Sequence, residues 1–269
     1  MRRRQGPVAE PPEWGSRSLL ALVVGAAATA VVLLVGLGLA IYYTVQPDRS
    51  PTPDQAAQVP AAADPRDELA DRPMPTAPAA ASRPGPLTTK PFESLLLPGA
   101  RRLGPADVST GFPQTKEGAL AQLVAIDQAA LQSASVPGAQ AVITAWAVPG
   151  GPTAESWSGV AAVAEMLSSA DLSLSGSPSL TVSATPEMGL VKGTVGERYV
   201  VACVDFVVTA TATTTARVAA ADCQRMVWTN DNRSGRWMVG PGPEPVLAPS
   251  VWPGTEAAHT AGYLKLTYE

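Results

Sequence analysis

The sequence predicts an α+β domain hung from a membrane. Three observations predict it: an uncharged apolar run from Leu19 to Tyr43, a Pro- and Ala-rich stretch behind it, and a change of apolar period from about 3.6 to 2 near Leu180. They divide the chain into a basic cytoplasmic tail over residues 1–18, a transmembrane helix over 19–43, a disordered linker over 44–104 and an extracytoplasmic globular domain over 105–269.

The run LLALVVGAAATAVVLLVGLGLAIYY carries no charge. As a helix it is about 37 Å long and crosses a hydrocarbon core of roughly 30 Å with modest tilt. Arg2, Arg3, Arg4 and Arg17 precede it, and Asp48, Arg49 and Asp54 follow, so the positive-inside rule keeps the N-terminus in the cytoplasm and exports the rest. Tyr42 and Tyr43 suit the interface on leaving. A cleaved signal peptide is the rival reading; its apolar region is shorter, about 7 to 15 residues, and a small-x-small cleavage site, absent from YYTVQPDRSP, follows it. Gly25 with Thr29 and Gly36 with Ala40 have the small-xxx-small spacing through which two such helices approach, which admits a homo-oligomer.

Residues 44–104 hold twelve prolines, with seven positive charges against seven negative ones. No apolar period runs through them, and such a composition buries too little surface to offset its ordering entropy. A stalk of this length reaches roughly 40 Å as a coil and about 190 Å fully extended. Its apolar island FESLLLPGA, Phe92 to Ala100, either docks on the domain or a partner or forms a short turn.

From Pro105 onward eight Lys and Arg face fourteen Asp and Glu, without a basic cluster, which argues against direct nucleic-acid binding. Thr115 caps a first helix over about 116–133, with Glu117 in its first turn and Leu120, Leu123, Val124, Ala130 and Leu131 on its apolar stripe. A second helix follows Pro137 and turns Val142, Ile143 and Trp146 inward. A third starts at the cap Thr153 and buries Trp157, Val160, Ala161, Ala164 and Leu167. Three helices thus precede any strand.

From Leu180 the segments LTVSAT, GLVKGTV, RYVVACVDFVVTAT, ARVAAADCQRMVW and GRWMVG read as a meander of about five strands, with turns at TPEMG and NDNRSG. A hairpin centred on Thr213 sets Cys203 opposite Cys223, and the same register pairs Val200 with Met226, Phe206 with Ala220 and Val208 with Val218. That face is apolar apart from Asp222 and Gln224. Outside the membrane the two cysteines are expected to be bonded to each other.

The segments GFPQTKEGALAQLVAIDQAAL (Gly111 to Leu131), GRWMVGPG (Gly235 to Gly242) and VWPGTEAAHTAGYLKL (Val251 to Leu266) resemble actinobacterial single-span membrane proteins carried on integrative conjugative elements. Lys116 departs from the pattern, which has a proline after the capping threonine. That family is similar in turn to assembly components of conjugative type IV secretion, with one N-terminal span and the cone-shaped fold of nuclear transport factor 2, also called cystatin-like. The resemblance implies three helices against a curved antiparallel sheet, a role in a DNA-transfer apparatus through contacts with other membrane-complex proteins, and no catalytic residue.

No nucleophile elbow, metal-ligand spacing or phosphate loop occurs, and His259 is the only histidine, so neither an enzyme nor a cofactor or metal is expected. Asp127 lies on the first helix's apolar stripe. Cone folds of the ketosteroid isomerase type host an acid in their cavity, and Asp127, Tyr199 and Asp205 are the candidate ligand-binding trio, with an ordinary aspartate at the stripe's edge as the plainer alternative. Trp146, Trp157, Trp228 and Trp237 read as packing; Trp252, in the turn VWPG, is the candidate anchor for a partner. Two functions follow: a scaffold of the transfer apparatus, or a binding module for a small apolar or cell-wall-derived ligand. A continuous pocket open at the wide end of the cone with Asp127 inside favours the module, and a cavity filled by Trp157, Phe206, Met226 and Trp228, together with an exposed apolar patch elsewhere, favours the scaffold.

Overall fold

The computed structural model describes residues 64–230 and 235–269. The expected cytoplasmic tail and membrane span, with the first part of the linker and most of the turn NDNRSG, lie outside the described residues; within them no helix is long and apolar enough to cross a membrane.

Six strands form one mixed sheet. They are β1 (Ser94–Leu97), β4 (Thr181–Thr194), β5 (Tyr199–Thr211), β6 (Thr215–Asn230), β7 (Gly235–Val239) and β8 (Leu264–Tyr268), in the order β1-β8-β4-β5-β6-β7. A separate two-stranded ribbon joins β2 (Arg102–Leu103) to β3 (Ser109–Thr110). All ladders of the sheet are antiparallel except β1 on β8. The hairpin of β5 and β6 turns about Thr213, and Val200 faces Met226, Phe206 faces Ala220, and Cys203 faces Cys223.

The cysteines form the expected disulfide across that pair, with Cα atoms 4.1 Å apart. Alternation and turn position alone fix this partnership. Replacing both cysteines by alanine is expected to lower unfolding stability by about 3 kcal/mol, measured by urea titration; an unchanged midpoint would show that the bond constrains nothing the ladder does not already hold.

Three helices cover one face of the sheet. Helix α2 (Lys116–Gln132) starts as expected, with the Thr115 hydroxyl accepting from the Gly118 N–H. Helix α3 (Val136–Trp146) is capped in the same way by Ser135. Helix α4 (Ser158–Ser169) begins later than expected: Thr153 caps only an isolated turn, accepting from Glu155, Ser156 and Trp157, and the chain extends through Trp157 before the helix starts. The buried face of α4 is Val160, Val163 and Leu167, whereas Ala161 is exposed and Ala164 half-buried. Against these helices pack Val200, Val204, Phe206 and Val208 of β5, with Met226 and Trp237 beside them.

Two other expectations change. The supposed turn TPEMG is a bulge inside one continuous strand, with Glu187 unpaired between Pro186 and Met188. Proline is tolerated there because β4 meets β8 only at Met188 and Gly189, which leaves the Pro186 edge free of ladder bonds on that side. Strands also precede the helices, since the island FESLLLPGA supplies β1.

The largest correction concerns residues 64–104, assigned above to a disordered linker. Helix α1 (Pro65–Ala70), capped by the Asp64 carboxylate, lays Leu69 and Ala70 on the second face of the sheet, and Leu97 of β1 is buried as well. Two buried cations fasten the segment. The Lys192 ammonium donates to the carbonyls of Ala70, Arg72 and Val246 at 2.9, 2.8 and 3.1 Å. The Arg225 guanidinium donates to the Asp67 carboxylate and the Pro243 carbonyl. A segment poor in apolar residues orders here because the apolar surface it needs belongs to β4 and β5, and its carbonyls and the Asp67 carboxylate supply acceptors to cations buried on β4 and β6. With the C-terminal strap, which includes α5 (Glu256–Thr260), it covers the face formed by Tyr199, Val201, Cys203 and Asp205. The near-continuous burial of β5 from Tyr199 to Val208 reflects this double cover.

Candidate functional site

Between α2, α4 and the paired strands β5 and β6 lies a cavity of about 190 Å³. It exists because the elements meet through small residues: Ala130 on α2, Gly159 and Ala162 on α4, and Ala220 on β6 leave the space that Leu131 and Phe206 only wall. Its size exceeds the roughly 150 Å³ apolar cavity that binds benzene in an engineered lysozyme.

The polar floor of this space is acidic. Asp127 projects from α2 and is 4% exposed, and among the described residues no N–H or hydroxyl donates to either of its oxygens. Burial, then the Asp222 carboxyl, then Glu244 hold Asp127 well above the ordinary carboxylate range. Its hydrogen-bonding neighbour is Asp222, also an acceptor, so the pair closes only when Asp127 carries a proton. Asp222 is itself pushed up to about 6, by burial first and by Glu244, against the opposing hydrogen bonds of Gln224 and Ser158. Gln224 donates to both Asp222 oxygens at 3.2 and 3.0 Å. Glu244 sits at the N-terminus of α4, where it accepts from the Ser158 N–H at 3.0 Å and the Ser158 hydroxyl at 3.1 Å. An anion is favoured there by the helix dipole and the unpaired first-turn amides. The Trp157 indole N–H, on a side chain 1% exposed that lines the cavity, has no acceptor among the described residues.

Strand alternation separates the expected trio. Phe206 points to the helices with Asp127, whereas Tyr199 and Asp205 point to the opposite face. The Tyr199 hydroxyl donates to the Arg66 carbonyl at 3.3 Å, its ring lies under the Arg66 guanidinium, and burial raises its pKa. Asp205 is fully buried beneath the strap near Tyr263, pushed up to about 8 by desolvation, with the Val251 backbone pulling the other way. Of the trio only Asp127 reaches the cavity. Trp252 is half-buried, its ring covered by the Arg217 guanidinium at 5.2 Å and its backbone N–H donated to the Ala81 carbonyl. His259 is exposed and meets Phe92 edge-on.

No motif or spacing in the sequence marks Asp222, Ser158, Glu244 and Trp157 as site residues. A signal exists for one: Asp222 and Gln224 interrupt an otherwise apolar face of β6, and Asp222 lines the cavity with Gln224 donating to it. A wider recess of about 640 Å³ between α4 and the end of the β5–β6 hairpin shares Ala162 and Ala220 with the cavity and borders its approach. Among the described residues no group of His, Cys, Asp and Glu is arranged to hold a metal ion.

Comparison with family models, with curated proteins and with solved structures finds no significant match.

Proposed function

We propose that the folded unit is a binding module for a small, largely apolar ligand with a polar head, presented outside the membrane by a single-span anchor. The observation that carries this is the unfilled cavity with Asp127 inside it. Trp157 and Phe206 pack into the core with Met226 yet also border this space, and a pocket that holds Asp127 is the arrangement expected of a module. Three helices packed on a long antiparallel meander support the cone fold of nuclear transport factor 2 as the architecture. Binding is favoured over proton-transfer chemistry because Tyr199 and Asp205, the groups needed to complete an isomerase-like site, face away from Asp127. The assembly role rests on the three resembling segments alone; within a transfer apparatus the module's work is to sense or carry its ligand.

Benzyl alcohol is a suitable probe for the full-length chain in detergent. At ten times its Kd it is expected to raise stability by about 1.4 kcal/mol, a melting shift of roughly 2–4 °C. Ala220→Phe and Ala162→Phe, each placing a ring where the ligand sits, are expected to fold and to abolish the shift. Equal shifts in wild type and both variants, or none in wild type, would overturn the reading.

A further inference from the structure

We infer that the ligand's polar head is an ammonium group, so that the cavity selects small organic amines with an apolar body over neutral or anionic molecules of the same shape; this rests on the binding-module reading. The charge inventory carries it. Three carboxyls, Asp127, Asp222 and Glu244, are gathered at or beside the cavity, and none of the residues lining it is Lys, Arg or His. Ser158 and Gln224 already serve Asp222 and Glu244, which leaves the Trp157 indole N–H as the one lining donor without an acceptor among the described residues. Asp127 is left 4% exposed, with no N–H or hydroxyl donor on either oxygen and only the Asp222 carboxyl beside it, on the wall of a space open to a ligand.

A buried carboxyl in that position is completed either by a proton or by a cation. An ammonium supplies three N–H donors and a positive charge, which matches Asp127, a carboxyl without donors, beside the second negative charge of Asp222. Trp157 and Phe206 add ring faces of the kind that attract cations. A hydroxyl head offers one donor and no charge, and a carboxylate head adds a further anion to the cluster. The apolar walls, Leu131, Ala162 and Ala220 among them, then take the rest of the molecule. Because the ammonium replaces the proton on Asp127, that proton leaves to solvent as the amine binds, and charge is conserved at the site.

The test uses benzylamine, benzyl alcohol and benzoate against the full-length chain by titration calorimetry, with Ala220→Phe as the blank for detergent partitioning. Benzylamine is expected to bind at least tenfold tighter than benzyl alcohol near pH 7, and benzoate not at all. Buffers of different ionisation enthalpy are expected to reveal up to one proton released per benzylamine and none per benzyl alcohol, a readout that requires no variant. Asp222→Asn is expected to cut the ratio of benzylamine to benzyl alcohol affinity below threefold. If benzyl alcohol or benzoate binds as tightly as benzylamine, or no proton is released, the amine inference falls and the cavity reading stands. If none of the three binds, the binding-module reading fails and takes the inference with it.

Discussion

A chain trimmed to begin at Pro105 is expected not to reach the fold of a chain that begins at Ala62, although residue 105 is where composition places the domain boundary. The cut removes α1 and β1, whose Leu69, Ala70 and Leu97 are buried. It also strips the Ala70 and Arg72 carbonyls from the Lys192 ammonium and the Asp67 carboxylate from the Arg225 guanidinium, at residues 8% and 3% exposed. Hydrogen bonds to charged groups contribute about 1.5–3 kcal/mol each, and their loss together with the uncovering of Tyr199 and Val201 takes a large share of a typical domain's 5–15 kcal/mol. Circular dichroism melts and limited proteolysis of both chains decide it. Equal melting temperatures would mean that residues 62–104 merely rest on the sheet.

Unfolding stability is expected to fall as pH rises from about 4 to about 8, and Asp205→Asn is expected to make that slope clearly shallower. Asp205 is pushed up to about 8 in the folded chain, from an ordinary value of 3.8. Within that window the folded state holds a proton that the unfolded state has lost, so each rise in pH favours unfolding. Its stabilising share is whole near pH 4 and is lost progressively toward pH 8, to an order of magnitude about 5 kcal/mol. Asp127 and Asp222, both raised, tilt stability in the same direction, so the variant flattens the profile without levelling it. Glu256, lowered chiefly by hydrogen bonds from Lys90 and Thr88, works the other way but only at the acid end. Urea midpoints at several pH values test this. A wild type that gains stability toward pH 8, or a variant with the wild-type slope, contradicts it.

Local chemistry makes part of this molecule legible. Thr115 and Ser135 cap helices as short polar residues before an apolar stripe do, and the disulfide follows from one turn position and the strict alternation of strands. Asp127 stands out because a carboxylate on an apolar stripe needs a reason. What stays hidden depends on tertiary structure. The same Pro and Gly that mark a turn mark the bulge at Pro186. Residues 64–104 look unable to fold because their own composition is counted, whereas their apolar and ionic partners lie on β4, β5 and β6. The run YVVACVDFVV does carry a hint, since a strand apolar on both sides is covered on both sides. With both faces covered, alternation puts the odd-numbered Tyr199 and Asp205 on a different face from Phe206, which by itself dissolves the expected trio. The companions of Asp127 come from β6, from the start of α4 and from the strap at Glu244, and no spacing in the chain joins them.

The central claim is that the space beside Asp127 is a ligand site. It is tested most directly by irradiating the full-length chain with a diazirine-bearing benzyl alcohol and mapping the labelled residues by mass spectrometry. Labels concentrated on Asp127, Leu131, Phe206 and Asp222, and competed away by unlabelled benzyl alcohol, are the predicted result. Labels spread over exposed side chains such as Leu87, Leu103 and Leu174, with the cavity residues unmarked, would contradict it.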